Sequence, residues 1–73
     1  MSEKLPGINS VQVSAILQHH DFVLLTQRGS HQKWHNFESG KQVIVPYHQA
    51  KQLPIGTLNS IIEGSGISES EFR

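Results

Sequence analysis

Apolar positions recur at two different periods along this chain, and the switch between them marks its elements. In "INSVQVSAILQHHD" (residues 8–21) Val13, Ile16 and Leu17 share one helical face, and His20 joins them at i+7. Asn9 stands as an N-cap with Gln12 three residues later, the spacing of a capping box, and Ile8 can pack on Val13 as a hydrophobic staple. The helix is predicted to stop near Asp21, a residue that tolerates the left-handed cap conformation poorly, though better than most. "FVLLTQR" (22–28) is too short for another helix, is rich in strand formers and ends at Gly29-Ser30. "HQKWH" (31–35) is a second predicted strand and "NFESG" (36–40) a turn. "KQVIVP" (41–46) is a third strand, stopped by Pro46, which has no N–H for a ladder. The tight turns at 29–30 and 36–40 predict an antiparallel meander.

After a polar connection, "YHQAKQ" (47–52), the helical period returns in "LPIGTLNSIIEGSG" (53–66). Pro54 suits a first helical position, and Ile55, Leu58, Ile61 and Ile62 form one apolar stripe. Gly66 can end the helix, and Gly64 in its last turn costs about 1 kcal/mol against Ala, so that end is expected to fray. "SESEF" (68–72) predicts a short final turn that returns Phe72 to the core. The order helix, three strands, helix belongs to the α+β class. It predicts a two-layer domain in which two helices cover one face of a three-stranded antiparallel sheet. The other face is left for water or a partner.

Length and composition narrow this picture. Seventy-three residues allow one domain, spanning 1–73, of modest stability. There is no cysteine, which removes disulfides and thiolate metal sites. No apolar run approaches the roughly 18 residues of a membrane span, and "MSEKLPG" lacks the apolar core of a secretory signal. These features predict a cytoplasmic protein. Six basic and six acidic residues give zero net charge, unevenly spread. Arg28, Lys33, Lys41 and Lys51 fall in a span whose single acid is Glu38. Such a basic, histidine-rich island suits phosphate; it equally suits an ordinary solvated strand face.

The histidines differ in position. His31 and His35 would chelate one ion on a helix, but on a strand they stand roughly 13 Å apart along one face, and the adjacent His19 and His20 diverge on a helix. No metal site is expected. His19 should be solvated, His20 half-buried at a helix end where a cation is favoured, and His35 a polar strand residue beside Trp34. His31 follows the "GS" turn at the start of a strand, held on a rigid element with a side chain of the usual general acid–base type.

Together, "LPGINS" (5–10), "FVLLTQRGSH" (22–31), "VIVPYH" (43–48) and "GTLNSIIEGSGIS" (56–68) make the chain resemble the HicA toxin family, small bacterial mRNA interferases. The resemblance covers about residues 5–72 and rests above all on Gly29-Ser30-His31, on Pro46-x-His48, and on Gly56-Thr57-Leu58 with Ser60-Ile61. It implies a fold like the double-stranded-RNA-binding domain, in agreement with the element order. It also implies a toxin of a type II toxin–antitoxin system that cleaves mRNA without a metal or small-molecule cofactor. In the family the histidine of the Gly-Ser-His motif is catalytic, and it matches His31.

A metal-independent ribonuclease uses the substrate's own 2′-hydroxyl as nucleophile, with one group taking its proton and another protonating the leaving 5′-oxygen. His31 suits either role, and His48 is the candidate second proton carrier. Arg28, Gly29, Ser30, Lys33, Lys41 and Lys51 are the candidate RNA-binding residues. Trp34 could stack on a base, but core packing fits it better. The expected partners are mRNA and a HicB-like antitoxin lying over the open face, with no membrane. Three positions depart from the family pattern: Thr26 and Asn59 stand where members often carry a basic residue, and Asp21 where glycine usually closes helix one. The lost charges leave a second reading, a non-catalytic RNA- or partner-binding module of the same fold.

Overall fold

The computed structural model describes residues 7–48 and 51–73. Residues 1–6, with the "LP" of the first resemblance segment, and Gln49-Ala50 of the polar connection lie outside the described residues. The chain runs α1 (Ser10–His19), β1 (Val23–Arg28), β2 (His31–His35), β3 (Gln42–Pro46), α2 (Ile55–Ser65) and a closing 3₁₀ turn (Glu69–Phe72). The strands form one antiparallel sheet in the order β1-β2-β3, the α+β arrangement expected. Among the described residues no helix is long and apolar enough to cross a membrane.

Both ends of α1 are fastened by local chemistry. The Gln12 N–H donates to Asn9 Oδ1 and the Asn9 N–H to Gln12 Oε1, each at 2.9 Å, a complete capping box. At the other end the Phe22 N–H donates to the Leu17 carbonyl at 2.9 Å and the Asp21 N–H to that of Gln18 at 3.2 Å. This is a Schellman motif with Asp21, at φ +69°, in the left-handed position. The conformation costs an L-residue roughly 1 kcal/mol. Leu17 and Phe22, both buried beside it, offset that cost.

The second helix departs from expectation in two details. Pro54 is the N-cap rather than the first helical residue, with an extended backbone that leads into Ile55. Ile55 is 56% exposed and does not share the stripe of Leu58 and Ile61, because it precedes the turn that meets the core. Gly64 lies inside α2, which continues to Ser65. A Cβ on Gly64 would stand 3.1 Å from Val43 Cγ1, so the missing side chain lets α2 close on β3. Gly66, left-handed at φ +71°, ends the helix.

Helix α2 packs chiefly on β3, and α1 meets both β3 and the closing turn. Trp34, Val43 and Val45 from the sheet join Val13, Leu17, Leu58, Ile61 and Phe72 in one buried cluster. Trp34 places its indole N–H within this layer and donates to Gln32 Oε1 at 3.1 Å. That oxygen also accepts from Ser14 Oγ at 3.3 Å, while Gln32 Nε2 donates to Gln27 Oε1 at 3.1 Å. A buried amide is thus satisfied from three elements. β1, by contrast, is exposed at all six positions and stands clear of the helical layer.

Candidate nucleic-acid interface on the open sheet face

Alternation along β2 sorts its side chains. Gln32 and Trp34 are buried toward the helices, and His31, Lys33 and His35 stand on the opposite face. β3 sorts likewise, with Val43 and Val45 inward and Ile44 outward. His31 lies opposite Arg28 on β1 and Pro46 on β3, and Lys33 lies opposite Thr26 and Ile44. Thr26, Arg28, His31, Lys33 and Ile44 line one shallow depression on this face.

Arg28 reaches this face through an irregularity in β1. Leu24 pairs with Trp34 and Thr26 with Lys33, so Leu25 is a bulge without a partner. The residues after it are shifted by one, which puts Gln27 inward against Gln32 and Arg28 outward beside His31. The hairpin then closes through two residues, with φ +57° at Gly29 and not at Ser30, the pattern of a type II′ turn that favours glycine at its first central position. Ser30 accepts at its carbonyl from the Tyr47 N–H, which fixes the chain beyond β3 against the turn.

Charge on the face is one-sided. The described acids, Asp21, Glu38, Glu63, Glu69 and Glu71, all lie outside the strands. The ion pairs among the described residues, His20 with Glu71 and Arg73 with Glu69, are away from it. Arg28 and His31 are exposed and Lys33 is half-buried. A flat surface with two cations and an imidazole, free of strand carboxylates, can approach a phosphodiester.

Other predicted residues are dispersed. His48 is exposed and its N–H donates to Ser10 Oγ at 3.0 Å. It leaves β3 two residues after Pro46, at the His31 end of the sheet, and its carbonyl accepts from the Lys51 N–H at 3.2 Å. Gly29, Ser30, His48 and Lys51 therefore gather near the end of the sheet that carries His31. Lys41 does not: it stands beside Asn36 at the far end of β2, and a Cβ on Gly66 would touch its side chain. Trp34 is 4% exposed and belongs to the core, out of reach of a base. His19 is exposed, while His20 is half-buried with its Nε2 3.2 Å from Glu71 Oε1. Among the described residues no three side chains of metal-ligating type come together.

Two features of this face escaped the sequence. Ile44 lines the depression, which the alternation between Val43 and Val45 could have placed. Phe37, in the turn after β2, is 71% exposed, and the only signal was an aromatic residue among turn formers.

A family model described as the HicA toxin of bacterial toxin–antitoxin systems matches residues 11–67, which include every strand and both ends of the open face. No curated protein matches the chain significantly.

Proposed function

The chain belongs to the HicA toxins of bacterial toxin–antitoxin systems, and on that premise we propose that it is a metal-independent mRNA endoribonuclease of the cytoplasm whose catalytic group is His31. The observation that carries this reading is the exposed His31 ring between Arg28 and Lys33 on a sheet face without strand carboxylates. RNA lies across that face with its phosphate over the depression. Arg28 and Lys33 neutralise charge that grows on the phosphate in the transition state. Gly29, Ser30 and Lys51 hold the strand at the turn end, and Lys41 meets only a distant part of it.

The reaction balances without a cofactor. One imidazole takes the proton of the 2′-hydroxyl, O2′ bonds to phosphorus, the bond from phosphorus to O5′ breaks, and a second acid gives its proton to the leaving oxygen. His31 fills one of these roles, and His48, at the same end of the sheet, fills the other. A HicB-like antitoxin silences the enzyme by covering the open face and His31, and its acidic surface complements Arg28 and Lys33.

The test is His31→Ala, expressed with and without the antitoxin. Loss of one acid–base group should slow RNA cleavage by about 10²- to 10⁴-fold. Growth arrest should disappear while folding and antitoxin binding persist. Cleavage by the variant at the rate of the parent would reject the catalytic assignment and leave a module that only binds RNA or its partner.

A further inference from the structure

The far end of the open face holds an aromatic pair that the cleavage reaction does not use. Phe37 is the most exposed large apolar side chain among the described residues, at 71%. It is not on a loose loop. Asn36, 8% exposed, accepts at Oδ1 from the N–H groups of Glu38 at 2.8 Å and Ser39 at 2.9 Å. Its own N–H donates to the Lys41 carbonyl at 2.9 Å, its carbonyl accepts from Gly40 at 2.8 Å, and its Nδ2 donates to the His20 carbonyl at 3.1 Å. The turn is pinned, so Phe37 is held out to solvent by a fixed backbone. Its ring meets that of His35 edge to face, with centroids 4.5 Å apart. His35 Nδ1 is shut from solvent without a hydrogen-bond partner, and the imidazole packs on the Phe37 ring.

His35 shares its face with His31 and Lys33 and lies opposite Val23 and Gln42. Strand geometry puts it roughly 13 Å from His31. Of the charged groups nearby, Lys33 is on the same face, Glu38 is in the turn itself, and Lys41 lies on the helical side against Gly66. An exposed, preorganised π surface on a face that carries Lys33, Arg28 and no strand carboxylate matches a flat aromatic ring attached to a phosphate chain.

We propose that Phe37, oriented by His35, is a stacking platform for a nucleobase of the single-stranded RNA bound across this face, some positions to one side of the cleaved bond. The proposal rests on the reading that RNA occupies the open face. It gives the toxin a subsite remote from His31 that selects unpaired over paired RNA, because only an unpaired base presents a free face to the ring.

The experiment uses a short single-stranded RNA with one mapped cleavage site, made uncleavable by 2′-deoxyribose at that position, and a series of the same RNA with one base removed at a time. Phe37→Ala should bind the intact RNA about 5- to 150-fold more weakly, the range of one lost base–aromatic stack. The parent should lose a similar factor at one particular abasic position, where Phe37→Ala should lose nothing further. Phe37→Trp should restore affinity. An unchanged thermal midpoint separates these effects from folding. Equal affinity of parent and Phe37→Ala for every RNA overturns the platform while leaving the cleavage reading intact. Loss of antitoxin affinity alone assigns Phe37 to the protein partner and also overturns it. A parent that binds and cleaves no RNA sinks both readings together.

Discussion

On the side of the sheet that faces the helices, Trp34, Val43 and Val45 are almost closed to solvent, and even the amide of Gln32 finds its partners within the protein. On the other side, one residue away along the same strands, His31 and Ile44 are exposed and Lys33 half-buried, and no described side chain satisfies the cations. The two faces alternate residue by residue, so stability and chemistry occupy the same strands without competing for positions. β1 fits neither description: Leu24 is opposite buried Trp34 yet remains 43% exposed, because the helices cover β3 and stop short of the free edge.

This contrast can be broken at graded cost. Trp34→Ala should lose the most, about 3–5 kcal/mol of unfolding free energy, since it opens a cavity and strips Gln32 of a donor. Urea denaturation measures it. If Ile44→Ala cost as much in the same assay, the faces would not be divided as described. Leu24→Ala should cost about 1 kcal/mol, because a side chain already half in water has little burial left to lose. A cost like that of Trp34 would show that something covers β1 in solution. Lys33→Gln should barely move the unfolding midpoint, yet reduce the slope of log affinity for single-stranded RNA against log salt by about 0.7, the effect of one released counterion. An unchanged slope would remove Lys33 from the phosphate path.

Much of the fold was legible because its signals are local. The Asn9/Gln12 capping box, the strand "HQKWH" and Gly66 at the end of α2 each state their role within a few residues, and the structure places them as read. Asp21 was legible as the closing residue of α1, and its left-handed backbone is what a Schellman motif requires. What stayed hidden depends on contacts distant in sequence. Gly64 looked like a weak point because propensity counts only the helix, while its close approach to Val43 involves a strand some twenty residues earlier. Ile55 kept the helical period but lies outside the packed turns. At the candidate site, the "GSH" hairpin was readable from turn chemistry. The separation of Lys41 from the other cations was not, because charge clustering along a chain says nothing of which end of a strand each residue occupies.

The unpaired Leu25 gives β1 one residue more than the stretch of β2 it pairs with. In an unbroken ladder that extra residue would reverse the alternation, with Gln27 outward and Arg28 turned toward the core. The bulge absorbs it, so Arg28 stays beside the imidazole and Gln27 meets Gln32 on the inner side. Deleting Leu25 itself would leave the same cross-strand pairs in a regular ladder, with the cation still outward. This segment can therefore lose one residue without exchanging its two sides, provided the residue lost is the one that has no partner.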